Sequence, residues 1–152
     1  MRPHSLRQVA ERSAREGDWE HHLREFLDAF YGADGHKGRQ AGFIADEPAF
    51  IGDARADAFL GGTGEHLARR WGLPIPPWVR DRRRYLQVAM FVPDERRLRP
   101  FLFCVSPVAF RTRLIFTGSD PLQRARFPYD SPARRRAHAR AGAITGTGAL
   151  NP

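Results

Sequence analysis

The sequence contains one cysteine and one lysine, and it lacks any long run of apolar residues. One cysteine can form neither an internal disulfide nor a cysteine-based zinc site. Cys104 lies in the apolar run 101–105, so we expect a small buried side chain there and not a nucleophile. No stretch approaches the ~20 apolar residues of a membrane-spanning helix. Residues 1–18 also lack the apolar core of a signal peptide. We therefore expect a cytoplasmic protein without membrane association.

Arginine carries almost all of the positive charge, and that charge is unevenly distributed along the chain. The 152 residues have a formal net charge of +8, and 24 of the 25 basic residues are arginine. Residues 1–60 have a net charge of −3, whereas 61–100 and 121–152 each have +5. Guanidinium groups are planar, bidentate donors suited to phosphates and carboxylates. The basic part of the chain therefore favours an acidic partner.

The length of the chain predicts one domain, and its apolar periodicity predicts helices. Ser5 and Gln8 form a capping box for a first helix, which ends at Gly17. The clearest helix follows Asp18, because its apolar residues recur at helical spacing: Trp19, Leu23, Phe26, Leu27, Phe30 and Tyr31. We expect Trp19 and Phe26 to lie in the core.

A third predicted helix begins near Asp53 and ends at Gly72, but it contains three glycines: Gly61, Gly62 and Gly64. Glycine weakens a helix interior, so the three predict either a break or close packing of another element. A nucleotide-binding loop is disfavoured, since no buried strand precedes the glycines and Leu67 occupies the position of the third fingerprint glycine.

The rest of the chain alternates breaks and short elements. Residues 73–78 read as a proline-rich linker, and 88–92 as a short strand. Ser106 is expected to cap a helix that starts with Pro107. From residue 127 the apolar periodicity stops, which predicts disorder. The fold class is therefore mainly α: a compact single-domain helical bundle at residues 1–126, with a disordered basic tail at 127–152.

No set of residues has the spacing of a catalytic, metal or cofactor site. His66 follows Glu65, and His22 precedes Glu25 by three positions, but neither has the two-histidine spacing of a zinc-protease helix. No nucleophile-elbow sequence surrounds Ser106. We therefore expect a protein that is not an enzyme and that has no cofactor.

Two arginine clusters are the candidate binding sites. The first combines basic and aromatic residues: Trp78, Arg80, Arg82, Arg83, Arg84 and Tyr85. Such a cluster can hold phosphates and stack on bases, or it can be a solvated face whose aromatic residues lie in the core. The second is the run in the tail: Arg134, Arg135 and Arg136. It can bind nucleic acid or an acidic protein, or act as an inert solubilising end.

Several segments share a pattern with a group of small bacterial proteins that are common in actinobacteria. They are Leu27-Asp28-Ala29-Phe30-Tyr31, Gly64-Glu65-His66-Leu67-Ala68-Arg69-Arg70, Pro77-Trp78, and Ser106-Pro107-Val108-Ala109-Phe110-Arg111-Thr112-Arg113. The chain resembles this group over about residues 5–126. It departs from the pattern at the three glycines, where the group tends to carry alanine-like helix formers.

The resemblance implies a compact helical fold and no established activity. Proteins of this kind sometimes occur in small cassettes that resemble toxin–antitoxin pairs. Our leading hypothesis is therefore a non-enzymatic interaction or regulatory protein, antitoxin-like, with a protein partner such as a cognate toxin. The alternative is an arginine-rich nucleic-acid-binding module.

Overall fold

The computed structural model describes residues 1–146, and helices dominate this part of the chain. The helices are α1 (Leu6–Glu16), α2 (Trp19–Gly32), α3 (Lys37–Ala45), α4 (Ala54–Trp71), α5 (Arg99–Val105), α6 (Val108–Arg111) and α7 (Pro132–Gly146). Two strands, β1 (Met90–Val92) and β2 (Ile115–Thr117), form a small parallel sheet. Short 3-10 turns occupy Pro77–Arg80, Arg82–Arg84 and Arg96–Leu98. The mainly α fold class is confirmed.

Helices α1 and α2 pack against each other, and local chemistry specifies the turn between them. The Ser5 hydroxyl accepts a hydrogen bond from the Gln8 amide at 3.1 Å, as the capping box predicts. Gly17 ends α1 with a φ of 73°, a region that glycine adopts without strain. The Asp18 carboxylate then accepts from the His21 amide at 3.1 Å and starts α2.

The core is built around the apolar face of α2. Phe26 and Phe30 are completely buried, and the Phe30 ring meets the Trp71 ring of α4 edge to face at 5.7 Å. The prediction that Phe26 belongs to the core is confirmed. Trp19 is only half-buried, and its ring packs on Phe59 at 5.3 Å.

Helix α4 runs unbroken through its three glycines, because other elements pack directly on them. A Cβ added at Gly62 would lie 2.8 Å from the Phe110 ring, and one at Gly64 would lie 2.8 Å from the Trp78 ring. At Gly61 it would meet Arg84 and Arg113 at 3.1 Å. Of the two alternatives that the glycines left open, close packing is therefore the one observed.

Within residues 73–117, the turns Pro77–Arg80 and Arg82–Arg84 and helix α6 pack on α4. At the end of the predicted linker, the Trp78 indole donates a hydrogen bond to the Ile44 carbonyl at 3.0 Å, and the following residue, Val79, is completely buried. The strand predicted within 88–92 forms as β1 and pairs Met90 with Ile115 of β2. Helices α5 and α6 pack against β2, which holds this half of the chain to the core.

Two expectations for residues 101–106 are wrong. Cys104 is exposed, because α5 is a single two-turn helix that turns only Leu102 fully inward. Ser106 makes no N-cap bond for α6. Its buried hydroxyl donates to the Leu102 carbonyl at 2.5 Å and accepts from the Thr117 amide at 2.8 Å, thereby joining α5 to β2.

The folded part of the chain extends beyond the predicted boundary at residue 126. The Phe127 ring packs on Tyr31 at 5.5 Å, and Asp130 and Ser131 are buried. Residues 132–146 form α7 instead of a structureless segment. Sequence periodicity missed this region because its anchors are one ring and two polar side chains. The disorder predicted for 147–152 falls outside the described residues.

Among the helices of residues 1–146, none combines the length and apolarity needed to cross a membrane.

Candidate functional site

The first predicted arginine cluster does not form one surface, because Trp78 and Arg84 point into the protein. Arg84 has no exposed area, and its guanidinium donates to the Pro48 carbonyl at 2.5 Å. The guanidinium carbon lies 4.3 Å from the centre of the Phe50 ring and 5.0 Å from that of Trp78. Burial lowers the pKa of Arg84, against the opposing effect of nearby carboxylates. Arg84 and Trp78 therefore hold the fold and are not available to a partner.

The other members of this cluster differ in their exposure and in their ion-pair partners. Arg83 is exposed but donates to the Asp81 carboxylate at 2.7 Å and 3.1 Å, and these hydrogen bonds lower the pKa of Asp81 to about 2. Tyr85 is half-buried beneath the guanidinium of Arg113, 4.5 Å from its ring centre. Arg80 and Arg82 alone lie in solvent without an ion pair to a described residue.

Arg113 is a second completely buried arginine, and no local sequence pattern predicted its burial. It donates to the Val79 carbonyl at 2.5 Å, to the Ala109 carbonyl at 2.6 Å and to the Glu65 carboxylate at 2.6 Å. Burial raises the pKa of Glu65, but the hydrogen bonds from Arg113 and Arg69 outweigh this effect, so the net shift is downward. The one sequence signal for this arrangement was Gly61, which leaves room for both buried arginines.

A buried polar cluster joins the chain after residue 119 to α4. His66 Nε2 lies 2.6 Å from Asp130 Oδ2, and the Trp71 indole donates to the Asp130 carbonyl at 2.9 Å. His66 is 2% exposed and Asp130 0%. No substrate can reach a pair so deeply buried, so this histidine–carboxylate contact ties the C-terminal segment to the core.

Asp120 and Asp130 titrate in opposite directions within this cluster. Burial, and then the negative charge of Asp130, raise the pKa of Asp120. Burial also raises the pKa of Asp130, but the hydrogen bond and charge of His66 outweigh it and the net shift is downward. Each carboxylate has one buried oxygen without a hydrogen-bond partner. The negative charge of Asp130 therefore favours the protonated form of Asp120.

The solvent-facing side of α5 is apolar, which is unusual for an exposed helix. Four residues form this surface, named here the α5 face: Pro100, Phe101, Phe103 and Cys104, all exposed. Phe101 is 58% exposed and Phe103 46%. Phe103 also packs on the Phe116 ring at 4.4 Å, which fixes α5 on the sheet. Singly exposed apolar residues are common, whereas several on one side of a helix form a candidate contact surface.

Arginines outnumber acidic residues in the segment that contains the α5 face. The segment 94–111 contains Arg96, Arg97, Arg99 and Arg111 against Asp94 and Glu95. Arg99 pairs with Asp94 at 3.3 Å and covers the Phe91 ring at 4.4 Å. Arg96, Arg97 and Arg111 are exposed, with no ion pair to any residue of the described chain.

The second predicted cluster is split by the geometry of α7. Arg134 pairs with Asp120, and Arg135 pairs with Asp34. Arg136 is exposed and makes no ion pair within residues 1–146. The first two arginines thus hold α7 to the body, and the third faces solvent.

Comparison with protein-family models, with curated proteins and with solved structures gave no match. Among the described residues, no three histidine, cysteine or acidic side chains are grouped as metal ligands would be. The resemblance to the small actinobacterial proteins stays a prediction.

Proposed function

We propose that this chain is a cytoplasmic, non-enzymatic interaction protein that binds an acidic, amphipathic segment of a protein partner on the α5 face. The observation that carries the proposal is the exposed apolar side of α5 with its excess of arginine. Apolar centres surrounded by polar residues are the usual anatomy of protein interfaces, and aromatic residues and arginine are enriched in them.

The charge around the α5 face supports an acidic partner over a second copy of this chain. A symmetric dimer through this face would bring Arg96 and Arg97 of both copies together. Their like charges would oppose association, whereas carboxylates of a partner would be attracted. The resemblance to antitoxin-like proteins makes a cognate toxin one such partner.

Cys104 allows a direct test, because it is the single cysteine of the chain and lies within the α5 face. We would attach a maleimide photo-crosslinker to Cys104 and irradiate the protein in extract of its host. The matched control is Cys104→Ser combined with Ser119→Cys, which places the same probe at another exposed position. Crosslinked proteins would be identified by mass spectrometry.

We expect an acidic protein crosslinked from Cys104 and not from the control position. The purified partner should then bind the unlabelled protein and lose affinity for Phe101→Ser by about tenfold or more, since a buried aromatic anchor contributes at least ~1.4 kcal/mol. Equal affinity of the two proteins, or identical crosslinks from both positions, would refute the proposed face.

A further inference from the structure

Helix α7 has two opposite sides with different roles. On one side, Arg134 pairs with Asp120 and lies 4.0 Å from Asp130, and the His138 ring lies 6.2 Å from the Tyr129 ring. That side faces the body of the protein. Because successive helix residues are rotated by about 100°, four residues lie together on the side that faces away, named here the α7 stripe: Ala133, Arg136, Ala137 and Arg140.

The α7 stripe is exposed and purely basic. All four residues are exposed, and residues 131–152 contain no acidic side chain. Neither Arg136 nor Arg140 pairs with an acidic residue of the described chain. Like charges four residues apart repel each other on a helix, and an exposed helix of this length is marginally stable in water. An anionic ligand along the stripe would remove this repulsion and stabilise α7.

The body fixes the direction in which α7 leaves it. The Ser131 hydroxyl accepts from the Arg134 amide at 3.3 Å, and the preceding Asp130 is held by His66. The ion pairs of Arg134 and Arg135 add two contacts in the first turn. The stripe is therefore presented in a defined orientation, as a recognition element requires.

The shape of the stripe favours duplex DNA. Between residues 133 and 143 the only side chains larger than a methyl group are those of arginine and histidine. On the α7 stripe itself, the side chains other than the two arginines are the methyl groups of Ala133 and Ala137. The backbone on this side can therefore approach closely in the B-DNA major groove, which is about 12 Å wide, and alanine methyl groups can contact thymine methyl groups there. The major groove of A-form RNA is too narrow for such entry.

We propose that the α7 stripe enters the major groove of duplex DNA, with Arg136 and Arg140 contacting phosphates or guanine edges. This goes beyond the protein-partner function of the α5 face and uses a different part of the chain. A chain with both surfaces would bring an acidic protein partner to DNA.

The test is fluorescence anisotropy of a labelled 20-base-pair duplex titrated with the full-length protein at several salt concentrations. Arg136→Gln/Arg140→Gln should weaken binding by about tenfold or more and reduce the slope of log K against log salt by about 1.8 if both arginines contact phosphates. The matched control is Arg80→Gln/Arg82→Gln, which removes the same charge from exposed positions elsewhere. It should change binding much less.

Groove entry is separated from simple charge attraction by Ala137→Leu. This change widens the helix without altering charge, so it should weaken duplex binding and leave the salt slope unchanged. Thermal melting of each variant checks that the fold is intact. Equal losses in both double arginine variants, equal or tighter binding of single-stranded or RNA probes, or no duplex binding at about 100 mM salt would overturn the proposal. The proposal would also be overturned if the α7 stripe contributed to binding an acidic protein and not to binding DNA.

Discussion

Truncation after Arg126 should strongly destabilise the protein, although the sequence placed the domain boundary there. This truncation removes Asp130, which is the hydrogen-bond partner of His66 and accepts from the Trp71 indole. It also removes the Phe127 ring that packs on Tyr31. We expect the rest of the core to keep His66 and Trp71 largely covered, so they would lose their partners without gaining full access to water.

The cost follows from the groups that are left without partners. Each buried polar group without a partner costs about 1–3 kcal/mol, and loss of the aromatic pair costs about 1 kcal/mol. The total of about 3–7 kcal/mol compares with a typical domain stability of about 5–15 kcal/mol. For a domain of this size, it corresponds to a fall in Tm of about 10–20 °C.

A second truncation, after Arg135, provides the matched control. It keeps Asp130, Phe127 and the ion pairs of Arg134 and Arg135, and it removes side chains that are exposed through residue 143. We expect its Tm to lie within about 2 °C of full length. Differential scanning calorimetry of the three chains measures both effects. Equal melting temperatures for the two truncations would refute the reasoning that Asp130 anchors the C-terminal segment.

Three further predictions concern α4, the α5–β2 junction and the carboxylate pair. Gly62→Ala should destabilise the protein by about 1–3 kcal/mol because its Cβ would press on Phe110; Gly42→Ala, in open space on α3, should instead stabilise it by about 0.5–1 kcal/mol in urea unfolding. Ser106→Ala should cost about 1–3 kcal/mol by leaving the Thr117 amide unsatisfied. Ser106→Asp should destabilise the protein more, since it buries a charge. If Ser106→Asp were as stable as the wild type in urea unfolding, this reasoning would be contradicted in favour of the N-cap role expected from the sequence. The pKa of Asp120 is raised, so the folded state binds the Asp120 proton more tightly than the unfolded state does. The contribution of this proton to the free energy of unfolding is therefore present at low pH and is lost as pH rises through the raised pKa. Asp120→Asn should remove this decline, and parallel stability profiles of wild type and variant from about pH 4 to about pH 8 would contradict it.

The helical part of the fold was predictable because local signals agree with the final packing. Ser5 and Asp18 cap helices where their side-chain chemistry indicates, and the apolar spacing in α2 identifies its buried face. The glycines of α4 required tertiary information. A glycine in a helix weakens it unless a neighbour uses the space, and here that neighbour, Phe110, lies 48 positions along the chain.

The candidate site was less predictable, because the sequence does not distinguish an exposed arginine from a buried one. Arg82, Arg83 and Arg84 are chemically identical and adjacent, yet Arg82 is exposed, Arg83 pairs with Asp81 and Arg84 is completely buried. The groups that contact the buried guanidinium of Arg84, namely the Pro48 carbonyl and the Phe50 and Trp78 rings, come from residues that local sequence does not link to it. The apolar run 101–105 gave the opposite error, since Cys104 was expected to be buried but is exposed, together with Phe101 and Phe103.

The run Arg134–Arg136 is a second case in which the sequence does not show which arginines are available to a ligand. Three consecutive helix residues are rotated by about 100° from one another, so they cannot share a surface once the segment is helical. Arg134 and Arg135 are directed towards Asp120 and Asp34 of the body, and Arg136 is directed away from it. Counting the run as one basic site therefore overstates the charge available to a ligand. The charge that remains available comes from Arg136 and Arg140, four positions apart, and helix formation is what places these two arginines on one side.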